Sequence, residues 1–510
     1  MLRIRIKPTI VRAMVLALLI IAQLFLISYT LWSSSRASTI LSASFTIISF
    51  FVVLHIVKTR TDPSYKLIWC IMILLVPVSG GIFYLFFGLQ PSSKRLKLRL
   101  AKIEDNAKLH RKKQSGALSR LSEINNDFGR QAAYLQNVEH YPVYASSRAL
   151  YFNSGEEKFE RLKTELTRAE NFIFLEYFII EEGLMWNSIL DILAEKARAG
   201  LDVRVLYDGI GCLLTLPPDY PKKLGSLGIK CAVFNPARAF PSTLLNHRDH
   251  RKILIIDGKA AFTGGVNLAD EYINVIDKYG HWKDAAIFIS GEAVHSLTSM
   301  FLTMWQLQTR QEEECSGFFP LCKDMEGQDG YIQPYADNPL DNENVGASVY
   351  LNIINAAKKY VFITTPYLIV DHAMMLALCL AAKSGVDVRI ITPRHWDKRY
   401  VHRATRSYYD ELVEAGVKVY EYADGFMHAK TFVSDDVLAS VGTTNMDFRS
   451  LYLHYECGAL IYSGSAVMAV KDDFEQTLLR CELIKPGQYK AKTAVGRIIN
   501  QILRLLAPLL

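Results

Sequence analysis

The sequence predicts an α/β protein of two similar halves behind an apolar amino-terminal segment. Three observations lead there. Three hydrophobic stretches fill the first ninety residues. From about residue 137, buried-strand and helical patterns alternate. One short polar pattern then occurs twice, in register with a repeat of those strands.

The apolar stretches are Ala13 to Trp32, Ala37 to Val57 and Leu67 to Gly88, each about the ~20 residues that cross a bilayer. Arg3, Arg5, Lys7 and Arg12 precede the first, as in a signal peptide, but two further stretches follow without a small-residue cleavage site, so it reads as a retained anchor. Pro77 and the Gly80-Gly81 pair interrupt the third, which either spans or lies deep as a broken helix. Three crossings would set seven Lys/Arg against ten, nearly a tie. The positive-inside rule favours two crossings, with the amino terminus and the Lys94–Lys113 run both cytoplasmic. Residues 1–89 are therefore expected to be a multi-pass anchor of two or three helices in the cell membrane. Residues 90–136 are expected to be a basic linker, either solvated or drawn to anionic headgroups.

Half of the 510 residues are apolar and 21% are charged, which excludes a disordered chain, and a mean hydropathy of +0.11 is high for a purely soluble enzyme. The net charge of +7 suits an anionic partner without choosing between phospholipid and nucleic acid. The eight cysteines show no CxxC pair and no zinc-like spacing, so they read as reduced core thiols facing a reducing compartment.

The repeat defines two halves, residues 137–320 and 321–484. Asn171–Ile180 reads as a buried strand, a helix ends at Ala199-Gly200, and Leu201–Tyr207 is the next strand. Tyr360–Thr365, Ser384-Gly385 and Val386–Ile391 mirror them. AGLDVRVL and SGVDVRII lie 185 positions apart. Alternating strand and helix imply a largely parallel sheet in each half, and two such halves are expected to pack about a pseudo-twofold axis with equivalent residues at the seam. Residues 485–510 close the chain as an amphipathic tail: Val495, Ile498, Ile499, Ile502, Leu503 and Leu506 recur at helical spacing opposite Arg497, Asn500, Gln501 and Arg504. It either packs on the core or lies on the membrane interface.

Each half carries H-x-K-x-x-x-x-D: His250, Lys252 and Asp257, then His428, Lys430 and Asp435. An asparagine, Asn267 or Asn445, follows each histidine by 17 residues. One match alone is weak, but two in register with a duplication are specific. The run after each lysine reads as a strand, so His and Lys, two apart, project from one face into one pocket. Gly264-Gly265 and Gly442 allow close backbone approach, and the asparagines can donate N–H to a phosphoryl oxygen. Two lysines and two asparagines suit an anionic phosphate, while two imidazoles supply a nucleophile and a proton donor with neither metal nor cofactor. Asp257 and Asp435 complete the catalytic motif, yet five residues from their lysines they fall on the opposite strand face, so a supporting role is expected.

At these residues the chain resembles the phospholipase D superfamily, and within it the bacterial cardiolipin synthases of the two-motif type. The phrases are LYDGIG, NHRDHRKILIIDGKAAFTGGVNLADEY, HWKDA, ELVEAGVKVYEY, GFMHAKTFVSDDVLASVGTTNMDFRS and the ending RLLAPLL. The likeness spans nearly the whole chain, except that many relatives have two hydrophobic spans where three stand here. It implies a transfer between two phosphatidylglycerols that yields cardiolipin and glycerol through a phosphohistidine. By the same resemblance His250 is favoured as nucleophile and His428 as acid and base, with Lys252, Lys430, Asn267 and Asn445 holding the phosphate. An acidic residue on a following strand often orients each histidine, and Glu456 and Asp284 are the candidates.

The rival expectations are a hydrolase that uses water, a transferase with another alcohol, a nuclease and an inactive scaffold. A nuclease would show a broader basic stripe, and both motifs are intact. The expected partners are an anionic phospholipid and the bilayer, without nucleic acid. His247, Arg248, Asp249 and Arg251 read either as a basic loop beside the site or as phosphate contacts, Arg449 and Ser450 as braces, and Tyr177, Tyr367 and Trp282 as core aromatics rather than acyl-chain contacts.

Overall fold

A computed structural model describes residues 36–510 apart from 60, 76–79, 82–83, 85–87, 89–93, 112–113, 115, 237–246, 323–328, 342, 491–492 and 510, together with residues 25, 28, 29 and 32. Two sheets organise it. The first comprises β1 (Ser147–Phe152), β2 (Phe172–Tyr177), β3 (Asp202–Asp208), β4 (Lys230–Phe234), β5 (Lys252–Ile256), β6 (Ala260–Gly264) and β7 (Ala286–Gly291), in the order β1-β7-β6-β5-β2-β3-β4. The second comprises β8 (Tyr331–Asp337), β9 (Tyr360–Thr364), β10 (Asp387–Pro393), β11 (Lys418–Tyr422), β12 (Thr431–Ser434), β13 (Leu438–Gly442), β14 (His454–Tyr462) and β15 (Cys481–Leu483). Its order is β8-β14-β13-β12-β9-β10-β11-β15. Apart from β15, the second order repeats the first strand for strand.

β2, β3 and β4 run parallel, as do β9, β10 and β11, while β5 and β12 return antiparallel beside β2 and β9. The parallel strands are joined by helical crossovers, and β2 and β5 are buried at every position, which is why they read as continuous apolar runs.

Helix α1 (Arg36–Lys58) and helix α2 (Pro63–Leu75) form a hairpin. Ile56, Ile68, Trp69, Ile73 and Tyr84 are buried in a small separate cluster between them, joined by Leu505, Leu506 and Leu509. Among the described residues no helix is long and apolar enough to cross a membrane. The expected membrane-spanning anchor is thus not shown by the described helices. Ala13 to Trp32 lies outside the described residues apart from four positions, α1 opens on Arg36 and closes on His55 and Lys58, and the third stretch is described continuously only to Leu75.

The basic stretch expected as a linker is built into the body. Helix α3 (Lys94–Lys108) buries Leu100 and Ile103, and two following helices bury Leu121, Phe128, Ala132 and Leu135 in the core that also holds the second half. Their basic residues line the outside, as in the Lys102–Glu312 pair at 2.7 Å. α3 packs along helix α4 (Val294–Thr309), which is buried from Val294 through Leu307. That depth tolerates hydroxyls because Thr298, Ser299 and Thr303 donate to carbonyls three or four residues back, at 2.7–3.0 Å.

Asp257 and Asp435 are corrected in position, and their part in the catalytic motif is a supporting one. Neither continues a strand; both sit in the turn after one, at φ 53° and 54°. Asp257 accepts from the backbone N–H of Glu170, Asn171 and Phe172 at 2.7–2.8 Å, and Asp435 from Lys358, Lys359 and Tyr360 at 2.7–2.9 Å. Each carboxylate thus ties down the entry to the central strand, β2 or β9, and faces away from the motif histidine. Changing either aspartate to alanine should lower unfolding stability by about 2–4 kcal/mol through the lost charge-assisted bonds. Denaturant unfolding in detergent measures this, and KM should stay within about twofold; a changed KM at unchanged stability would place the aspartate in the site instead.

Candidate active site

Two short strand pairs stitch the halves together, and each delivers a motif histidine. Arg248–Asp249 runs parallel beside His454–Tyr455, and the His250 N–H donates to the Tyr455 carbonyl at 3.0 Å. In the mirrored place Gly425–Met427 pairs with His281–Lys283, and the His428 N–H donates to the Lys283 carbonyl at 2.7 Å. Each histidine therefore leaves its own half and docks on the other.

The side chains repeat the exchange. His250 Nδ1 lies 2.9 and 3.0 Å from the two oxygens of Glu456, a residue of the second half. His428 Nδ1 lies 2.7 Å from Asp284 Oδ2, in the first. Both carboxylates are fully buried. A carboxylate accepts only, so Nδ1 carries the proton in each ring and Nε2 keeps its lone pair. Gly265 makes room for this, because a Cβ there would collide with Asp284 Oδ1.

Burial, reinforced by Lys252 and Lys430, drives the His250 pKa well below its usual value. Burial and Lys430 lower His428 to about 4 against the pull of Asp284. Burial also lowers Lys252 to about 8 and Lys430 to about 7. Asp284 moves the other way: burial alone would raise it, but His428 and Lys430 hold it at about 2. The site is thus set with neutral imidazoles, that of His428 beside an ionised Asp284.

The histidines share a cavity of about 480 Å³ with Asn267 and Asn445. Asn267 is oriented by the Ile179 N–H at 3.1 Å and donates to the Tyr272 hydroxyl at 2.7 Å. The lysines differ from expectation. Their ammonium groups reach back to the carbonyls of their own histidines, Lys252 at 2.7 Å, and neither residue lines the cavity. They lie under the histidines rather than beside them; Lys430 Nζ is 2.9 and 3.1 Å from the ring nitrogens of His428.

Sequence reasoning missed His454. It lines the cavity, its ring centroid is 5.6 Å from that of His250, and its Nδ1 is 3.6 Å from Glu456 Oε1. The signal was available, since His454 stands two before Glu456 on one strand and so shares its face. Trp282, Tyr367 and Arg449, read as core or braces, also line the cavity, as does Arg248. Tyr177 is core, as expected. His250, His454 and Glu456 offer ligand atoms within 4.8 Å of one another, the single group among the described residues with metal-like spacing.

A family model described as "Cardiolipin synthase, PLD-like domain" matches residues 162–305 and 350–478, covering both histidines. The chain belongs to this cardiolipin synthase family. A second model, "Phospholipase_D-nuclease N-terminal", matches residues 47–88 of this family member. The chain is 36% identical to a cardiolipin synthase of Alkalihalophilus pseudofirmus over 92% of its own length and 94% of the relative's. It is 43% identical to an uncharacterized protein of Streptococcus mutans over 90% and 99%. In fold it is similar to phosphatidylserine synthase of Haemophilus influenzae, with a TM-score of 0.58, 15% identity and coverage of 74% of this chain and 97% of that one.

A histidine whose folded pKa is depressed binds fewer protons than its unfolded counterpart. The stability it contributes is whole above about 6.5 and is lost as the pH falls toward the folded value. For His428 the window runs from about 6.5 to about 4. Glu139 and Asp341, raised by burial to about 7, work in the opposite direction, so the comparison must be between variants. Across pH 6.5 to 4 the melting temperature of wild type should fall more steeply than that of His428→Asn; parallel curves would mean that His428 is not buried neutral.

Proposed function

We propose that the protein is a cardiolipin synthase which moves a phosphatidyl group from one phosphatidylglycerol to another, releasing glycerol. The observation that carries this is the pair of buried neutral imidazoles facing one cavity, each held at Nδ1 by a carboxylate of the opposite half. The cardiolipin synthases among its relatives support the choice of lipid and acceptor.

His250 Nε2 attacks the phosphorus of the first phosphatidylglycerol. The P–O bond to glycerol breaks as His428 gives its proton to the leaving oxygen, and a phosphatidyl-histidine remains. A primary hydroxyl of the second phosphatidylglycerol then passes its proton to His428 and attacks phosphorus, and the P–N bond breaks. A bound phosphodiester offsets the positive field of the lysines, which raises the His428 pKa and lets it hold the proton it must donate. Glu456 and Asp284 fix tautomer and ring orientation and stabilise each imidazolium as it forms. Asn267 and Asn445 contact the phosphoryl oxygens, and Lys252 and Lys430 supply positive charge from beneath. The reciprocal contacts at the seam support a pseudo-twofold relation between the halves. The apolar first ninety residues support a membrane anchor, and the Lys94–Lys113 run favours the cytoplasmic side for the catalytic halves.

Purified protein in detergent with labelled phosphatidylglycerol as the sole lipid should yield cardiolipin and glycerol without added metal or nucleotide. Phosphatidic acid and glycerol would instead mean that water is the acceptor. His250→Ala and His428→Ala should each reduce turnover by more than roughly tenfold; a larger residual in either variant would sink the shared-site mechanism. Asp284→Asn should lower kcat by roughly 10²–10⁴ with little change in KM, since it leaves His428 without its charged partner.

A further inference from the structure

The carboxy-terminal helix turns Asn500, Leu503 and Arg504 toward the protein. Helix α5 (Arg399–Ser407) packs against helix α6 (Ala494–Leu506). Arg403 of α5 donates to Asn500 Oδ1 at 3.0 Å and to the Gly496 carbonyl at 3.4 Å. Arg504 reaches Glu411 at 2.7 Å and lies over the Tyr408 ring at 4.5 Å. The opposite stripe, at i, i+3, i+4 and i+7, is Val495, Ile498, Ile499 and Ile502, left 67%, 58%, 37% and 48% exposed. Beyond it Leu505 and Leu506 pack into the α1/α2 cluster. An amphipathic helix that faces its apolar stripe away from its own core needs another apolar medium to cover it.

The surroundings identify that medium. Around the start of α5, Trp396 and Tyr400 are 48% and 52% exposed, and Arg399 lies 5.4 Å from the Trp396 ring. Lys398 and Tyr400 are exposed and also line the catalytic cavity, so they mark its rim. α1 also leaves Ile47, Phe50, Phe51 and Leu54 exposed. Aromatic residues and cations beside an apolar stripe suit the headgroup level of an anionic bilayer. A second copy pressed on the same face would set Lys398, Arg399 and Arg497 against their like.

We infer that α6 lies in the plane of an anionic bilayer surface, with Val495, Ile498, Ile499 and Ile502 among the acyl chains and the cavity rim at headgroup depth beside it. The helix then sets how far a phosphodiester must rise to meet His250. This rests on the proposed lipid-transfer reaction and adds the surface that presents the lipid.

The test uses the full chain in vesicles of phosphatidylcholine and phosphatidylglycerol doped with a lipid that carries a diazirine near the headgroup end of its acyl chain. After illumination, peptide mass spectrometry should find label on Val495, Ile498 and Ile502 and on Trp396 or Tyr400. Label confined to residues outside 396–400 and 494–506, or shielding that rises with protein density as a second copy would cause, overturns the proposal. Ile498→Asp combined with Ile502→Asp should reduce turnover of bilayer phosphatidylglycerol by roughly tenfold. Turnover of a short-chain, monomeric phosphatidylglycerol should change by less than about twofold. Equal losses on both substrates, or loss on neither, would overturn it. Labelling needs no turnover, so a wild-type enzyme that converts neither lipid would defeat the functional reading while labelling still decides this one.

Discussion

The exchange of carboxylates across the seam is the contact on which the site depends. Neither half holds a complete histidine: His250 is oriented by Glu456 and His428 by Asp284, and each backbone N–H is taken by a carbonyl of the other half. A half standing alone would present an imidazole without a fixed tautomer and a carboxylate without its imidazole partner. Both are unfavourable in a low-dielectric interior, so the seam is stabilised by the groups that the chemistry needs. The constraint extends outward, since the short strand pairs beside each histidine set the depth at which the rings meet the cavity.

The same burial governs the electrostatics. Lys252 and Lys430 are almost wholly enclosed, yet their charge is opposed by that of Asp284 and Glu456. The net effect is to keep the imidazoles neutral until an anion arrives. Near the first histidine, burial raises the carboxyl of Glu176 well above its usual range and that of Asp249 to about 7, and Arg251 lies 3.9 Å from Glu176. Arg251 also donates to the carbonyls of Glu456 and Asp337, at 3.2 Å each. A charged residue that reads in sequence as part of a basic loop is thus an internal brace of the strand that carries Glu456.

Most of the site was legible because the duplication printed it twice. His250, His428, Asn267 and Asn445 line one cavity as their spacing suggested, whereas the lysines turned back beneath their histidines. The strand-face argument placed Asp257 and Asp435 away from the pocket for the wrong local reason. Both strands end one residue earlier, and the aspartates act from turns with positive φ. His454 escaped notice because a lone histidine on an apolar strand carries no pattern, and its face is shared with Glu456 only once the strand is known.

The sequence by itself determined the two-half α/β class, the twin motif and the amphipathic character of the tail, because these rest on local periodicity and on repetition within one chain. Tertiary structure decided which carboxylate serves which histidine, where the lysine charge sits and which way the tail helix faces. The lysines reach only two residues back, but the other contacts join residues more than ninety positions apart, as between His250 and Glu456, His428 and Asp284, or Arg403 and Asn500. No local pattern specifies such pairs. They arise because burying the apolar faces of two sheets brings each motif histidine against a carboxylate and a backbone carbonyl of the other half.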